Sequence, residues 1–163
     1  MSAVTPMSQS RTFPVPVTEA FDRLLPMPLS DLFIAWYGPI PPVRATVQEG
    51  AWGSPGQQRL VVFTGPGSVQ ESLVQVDRPC GFSYELGQPT GPLAVLISRV
   101  NGSWTFAPAG TGVRITWSWD AEPRSRTARA LMPVFARLWR GYARGALARL
   151  EGLLLDTKRP DEA

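Results

Sequence analysis

Strict alternation of apolar and polar residues dominates the middle of the chain and stops near Asp120, where a helical period takes over. Val113, Ile115, Trp117 and Trp119 alternate with Arg114, Thr116, Ser118 and Asp120, the pattern of a strand buried on one face. Similar runs predict strands over residues 44–49, 57–64, 68–77, 81–87, 93–106 and 112–121, with no helix between 57 and 120. GSPG, GPG, DRPCG, GQPTGP and APAGTG separate them and supply positive-φ or pre-bent positions, so a meander of hairpins is the economical topology. Upstream, residues 11–17 (RTFPVPV) read as a short first strand whose prolines confine it to an edge, preceded by a flexible leader over residues 1–10. TEAFDRLL then reads as a helix capped by Thr18, with Phe21, Leu24 and Leu25 on one face. A second short helix is expected over residues 29–36, until YGPIPPV breaks the chain.

From Arg124 to about Leu155 the apolar positions follow one long helix. Leu131, Phe135, Leu138, Tyr142, Gly145 and Ala146 fall in one sector, and Arg126, Arg129, Arg137, Arg140 and Arg144 lie nearly opposite. Pro133 is expected to mark the true first turn or a kink, and Gly141 and Gly145 to admit a close neighbour. Residues 156–163 read as a flexible tail. Several antiparallel strands followed by one terminal helix make a single α+β domain over residues 11–155, in which the helix must bury its apolar stripe on the sheet. A strongly curved sheet closed over one helix leaves a cavity between them.

Composition narrows the chemistry. At 163 residues, with 44% hydrophobic and 18% charged content, one domain can bury a core without metals or disulfides. The absence of His and the single Cys remove the commonest general base, the commonest metal ligand and every Cys/His nucleophile pair, so neither a metal nor a cofactor is expected. Cys80, beside Gly81 in a turn, reads as a free thiol suited to a reducing compartment. The first ten residues hold no Lys, no Arg and no apolar run, so neither a signal peptide nor a membrane span is read there, and the cytoplasm is the expected location. Charge is uneven: seven arginines between Arg124 and Arg149 share a stretch without Asp or Glu, although the net charge is only +3. Such a segment could attract an acidic protein, RNA or anionic lipid. Arg also outnumbers Lys fifteen to one, which makes it the default surface cation, and nucleic acid is not the expected partner.

An edge strand, two small helices, a meander and a long C-terminal helix is the order of the helix-grip fold: a curved antiparallel sheet of six or seven strands, two short helices and one long one. The chain resembles the polyketide cyclase/dehydrase and lipid-transport family of the START-like (Bet v 1-like, SRPBCC) superfamily over roughly residues 13–154. FPVPVTEAFDRLL is similar to that family's opening. Gly56 to Arg59 leading into VVF, then VQESLVQVDRP and FSYEL, resemble its G-x-x-R turn, Glu-bearing strand, Asp-x-Pro turn and Tyr-bearing strand, and SWTFAPAGTGVRITWSW resembles its closing hairpin. The resemblance implies an apolar cavity between sheet and last helix, used by members for lipids, polyketides, quinones or hormones. Members include transporters, sensors, cyclases and assembly factors, so no single function follows. Cyclases of this kind carry several pocket acids, hydroxyls or His, and this chain departs from that pattern.

Phe63, Tyr84, Trp104, Phe106, Trp117, Trp119, Phe135, Leu138, Trp139 and Tyr142 are the residues expected to meet such a ligand, each with plain core packing as its alternative role. Glu71 and Tyr84 are the candidate acid/base groups. Glu71 matches the Glu-bearing strand, yet alternation sets it with Leu73 and Gln75, opposite Ser72, Val74 and Val76, and the latter face reads as the better buried, which turns Glu71 to solvent. Tyr84 shares a face with Phe82 and Leu86 and either reaches the cavity or packs in the core. Arg149 is out of step with its fellow arginines, and drift of the stripe towards Leu147, Leu150 and Leu154 returns it to solvent. The leading expectation is non-covalent binding of a small hydrophobic molecule. A cyclase, dehydratase or isomerase using Glu71 or Tyr84, and a protein- or RNA-binding module using the ridge of Arg137, Arg140 and Arg144, stand as alternatives, and a homodimer is left open.

Overall fold

The structure, a computed structural model, describes residues 4–156. In chain order the elements are β1 (Thr5–Phe13), α1 (Val17–Leu24), α2 (Leu29–Leu32), β2 (Val43–Val47), β3 (Gln58–Phe63), β4 (Ser68–Asp77), β5 (Gly81–Thr90), α3 (Pro92–Leu96), β6 (Ile97–Ala109), β7 (Gly112–Pro123) and α4 (Arg126–Asp156). Strands β2 to β7 form the expected meander, and β1 returns to pair antiparallel with β7, giving one seven-stranded sheet in the order β1-β7-β6-β5-β4-β3-β2. The two edges, β1 and β2, are far apart in the sheet, and α1 with α2 carries the chain between them. Helix α4 runs along β1 and β7 and closes the curved sheet from its inner side.

Several boundaries depart from the sequence reading, each for a local reason. The first strand begins at Thr5, so residues 5–10 are not a leader: Thr5 to Phe13 pair residue by residue with Ala121 to Val113, and this tertiary ladder orders a polar segment that alternation leaves blank. Residues 157–163 of the expected tail lie outside the described residues, while Asp156 is the last residue of α4. Thr18 is not a cap: α1 starts at Val17 behind Pro16, whose fixed φ of −63° sets up the first turn without any side-chain hydrogen bond. The second helix ends at Leu32, four residues before Trp36, and Leu93–Leu96, read as strand, belong to α3. That short helix starts from Gly91 (φ 76°), pressed so tightly on the β3–β4 turn that a Cβ there would sit 2.7 Å from the Gly67 Cα.

On α4 the buried stripe is Met132, Ala136, Trp139, Ala143, Leu147, Leu150 and Leu154, in steps of three and four. The sector expected from the largest apolar residues lies to one side of it. Leu131 is 53% exposed, Gly145 is exposed, and Phe135, Leu138 and Tyr142 are half-buried on its flank. Small side chains explain the shift, because alanines at the contact let the helix approach the sheet where bulkier residues would hold it off. Arg126, Arg129, Arg137, Arg140, Arg144 and Arg149 are all exposed. Pro133 lies well inside α4, on its exposed side, and does not begin it. Ser125 begins it, its Oγ accepting the Ala128 backbone N–H at 3.0 Å. At the other end Arg23 of α1 donates from both terminal nitrogens to the Leu153 and Leu154 carbonyls, 2.9 Å each, and so ties α1 to the last turns of α4. Among the described residues no helix is long and apolar enough to cross a membrane. Removing the cap by Ser125→Ala should lower stability by about 1 kcal/mol in urea unfolding, with Ser125→Asp retaining most of it.

Candidate functional site

Where the sheet bends away from α4, beyond the strands the helix touches, a cavity of about 290 Å³ remains. Its floor comes from the inward residues of β3 to β7, its near wall from Phe135, Trp139 and Tyr142 of α4, and its far wall from Leu24 to Leu29 and the α2–β2 segment around Phe33, Ile40 and Pro41. Of the residues expected to meet a ligand, Phe63, Tyr84, Trp104, Trp117, Trp119, Phe135, Trp139 and Tyr142 line it. Phe106 and Leu138 do not: Phe106 packs edge-on to Phe21 at 5.2 Å in the closed end of the core, and Leu138 lies beneath Gly38 on the outer flank.

One wall is a cluster of indoles. Trp117 stacks on Trp104 at 5.3 Å between centroids, meets Trp119 edge-on at 5.8 Å and lies against Trp139 at 4.5 Å. Such pairs add about 0.5–1.5 kcal/mol each beyond the area they bury, so this wall is rigid. The α2–β2 segment is tied to α4 opposite it: Phe33 stacks on Tyr142 at 5.3 Å, the Tyr142 hydroxyl donates to the Pro41 carbonyl at 2.9 Å, and the Tyr37 ring covers Gly141 so closely that a Cβ there would sit 2.1 Å from it. Gly145, also expected to admit a neighbour, faces open space. Trp36, 56% exposed, lies at the rim.

Polar groups in this apolar surface are few. Arg59 of β3 and Glu71 of β4 face each other in register, 5% and 3% exposed, with Nε 2.9 Å from Oε1. Trp52 covers the guanidinium at 4.1 Å. Glu71 is therefore not in solvent, as alternation alone predicts. A bulge between Leu73 and Gln75 reverses the facing of β4 midway, so Val69, Glu71 and Leu73 point inward while Val74 is exposed. Burial pushes the Glu71 carboxyl above its ordinary value, and the Arg59 charge opposes this without cancelling it.

Tyr84 reaches furthest. From β5 its ring lies flat over Gly102 of β6, where a Cβ would come within 2.2 Å of it, and its oxygen accepts the indole N–H groups of Trp117 at 2.6 Å and Trp119 at 3.1 Å on β7. Only a glycine at 102 lets one side chain span three strands. Burial raises the Tyr84 and Tyr142 phenols well above their ordinary value, the Glu71 charge adding to the effect at Tyr84. The indole N–H groups of Trp52 and Trp139 are buried without an acceptor among the described residues. Among the described residues no group of His, Cys, Asp or Glu could hold a metal ion.

Sequence reading overlooked Arg59 as a wall residue, although a charged residue sharing a strand face with Val61 and Phe63 is the signal that marks it. It also treated residues 37–43 as a mere break, when Pro39, Ile40 and Pro41 help build the far wall.

A curved antiparallel sheet gripping one long helix, with an apolar chamber between them, defines a helix-grip protein of the hydrophobic-ligand-binding type. The chain belongs to the polyketide cyclase/dehydrase and lipid-transport family, whose model matches residues 5–154. No curated protein matches it. Among solved structures it is similar to Ara h 8.0201 (TM-score 0.65, 17% identity, covering 95% of this chain and 100% of that one). Protein Ms6760 from Mycobacterium smegmatis is similar to the same degree, with TM-score 0.65, 20% identity and coverage of 96% and 98%. Major latex-like protein 151 from Panax ginseng follows with TM-score 0.67, 12% identity and coverage of 92% and 97%. At these identities the likeness establishes the fold.

Two predictions follow from the buried polar groups. Glu71→Gln leaves the Arg59 charge unpaired in the core and should cost about 3–5 kcal/mol in chemical unfolding, whereas the double variant Arg59→Met/Glu71→Leu should recover most of that loss. Because the unfolded chain ionises Tyr84 near pH ~10 and the folded chain does not, the stability this phenol confers is complete below that pH and is lost as pH rises above it. Tyr84→Phe should therefore flatten the fall in stability above pH ~10 and leave the native phenolate absorbance at that pH unchanged.

Proposed function

We propose that the protein binds a compact hydrophobic molecule, of the lipid, polyketide or quinone kind, non-covalently between the sheet and α4. The observation that carries this reading is the chamber itself: about 290 Å³ left open and walled mainly by apolar side chains, beside a large cluster of buried hydrophobic residues. An unfilled apolar space costs stability in proportion to its volume, so a fold that keeps one gains nothing by it unless something enters. Reducing conditions suit the exposed, unpaired Cys80, and the cytoplasm is the proposed location.

A second reading, a cyclase, dehydratase or isomerase, draws on one observation, the buried Glu71 with its raised carboxyl beside the same chamber. Against it, the Glu71 carboxylate is tied to Arg59 through Oε1, and Tyr84 spends both lone pairs on indoles, which leaves it none with which to act as a base. Binding is the better-supported function.

In dye displacement across a panel of fatty acids, aromatic polyketides and quinones, members small enough for the chamber should bind with micromolar Kd. Val61→Trp, which puts an indole into the space, should weaken them at least tenfold with the far-ultraviolet circular dichroism unchanged. A protein that takes up no member of the panel, and carries none on denaturing mass spectrometry after purification, does not have this function.

A further inference from the structure

The hydroxyl of Tyr84 is in an unusual state of engagement. A phenol oxygen has two lone pairs and one hydrogen. Both lone pairs are taken, by the N–H groups of Trp117 and Trp119, and no acceptor among the described residues takes the hydrogen. Tyr84 is 5% exposed and lines the chamber, so the partner of its O–H has to be something that enters that space. Leaving a buried donor unmade costs about 1–3 kcal/mol, and an O–H whose own oxygen accepts two N–H bonds is polarised into a stronger donor.

The arrangement is built. Gly102 exists as a flat seat for the ring, the two indoles come from alternate positions of one strand, and Trp117 is itself clamped between Trp104 and Trp139. A tyrosine that merely filled core would need neither the glycine nor the paired indoles. Raised by burial and by the neighbouring carboxylate, the phenol stays protonated and can act only as a donor. The charges nearby sum to zero, since Arg59 and Glu71 are paired, so the wall calls for a neutral partner and not an anion.

We infer that Tyr84 is the polar anchor of the chamber, and that the ligand is an apolar molecule bearing a neutral hydrogen-bond acceptor of the carbonyl class, whose oxygen takes the Tyr84 O–H while the rest of its surface meets apolar wall. The inference rests on the binding function proposed above and narrows it. Hydrocarbon-like ligands satisfy the walls but leave the donor unmade. Alcohols offered as donors meet no free lone pair at this point. Ketones, esters, lactones and quinones supply what is missing.

The test uses two pairs of matched probes, fluorenone against fluorene and benzophenone against diphenylmethane, which differ mainly in the carbonyl. Equilibrium dialysis against the wild-type chain should show each ketone binding at least about tenfold tighter than its hydrocarbon, the equivalent of about 1.4 kcal/mol for one buried hydrogen bond. The carbonyl stretch of bound fluorenone should move to lower frequency than in alkane solvent, a readout on the unaltered protein that a purely structural tyrosine would not produce. Tyr84→Phe should bring the ratio in each pair close to one. Equal binding of ketone and hydrocarbon by the wild-type chain, or a preference that survives Tyr84→Phe, overturns the anchor and leaves the apolar chamber standing. Failure of all four probes to bind overturns the anchor, and failure of the whole dye-displacement panel as well overturns both.

Discussion

Helix α4 rests on β1 and β7, and the sheet continues through five more strands that bend away from it. A straight rod cannot stay in contact with a surface that curves in this way, so the distance between the two must grow from one edge of the sheet to the other. At the near edge alanines at 136 and 143 allow close approach and the packing is dense. The main contacts of α4 with the sheet are to β1 and β7, so the gap over the far strands has to be closed by other means. The short helices and the proline-rich segment between α2 and β2 do this by forming a wall without filling the interior.

What lines the resulting chamber follows from its geometry. Buried polar side chains on the floor need partners, and the two charged residues found there occur as facing partners on adjacent strands. Their pairing does little for stability in net terms, because the cost of removing both charges from water offsets much of their attraction. It does impose a constraint: either residue alone would be untenable. The aromatic wall obeys the same logic. Indole N–H groups need acceptors, and Trp117 and Trp119 find theirs in a tyrosine two strands away, reached across the one position on β6 that has no side chain in the way.

Much of the fold could be read along the chain. The hairpins, the terminal helix and the edge placement of the first strand all follow from local signals: alternation in 113–119, glycine and proline turns, a helical period after Arg124. Eight of the ten residues expected to meet a ligand do line the chamber, because aromatics alternating on neighbouring strands must share a face. Glu71 was misplaced by the same rule, since a bulge shifts the facing by one residue and leaves no mark in the local pattern. Leu131 was misplaced for a different reason: size ranks it above alanine as a core residue, whereas close helix packing ranks it below.

The sequence by itself determined the order and kind of the elements apart from α3, the absence of histidine chemistry and the presence of an apolar interior rich in tryptophan, since these depend on periodicity and composition, which are local or additive. Only the tertiary structure decided that Arg59 and Glu71 meet in the chamber wall, that residues 5–10 belong to a nine-residue edge strand, and that Tyr84 lies over Gly102 with its hydrogen unspent. Those outcomes depend on register, bulges and curvature, which are set by pairing between segments far apart in the chain. No window of neighbouring residues contains them.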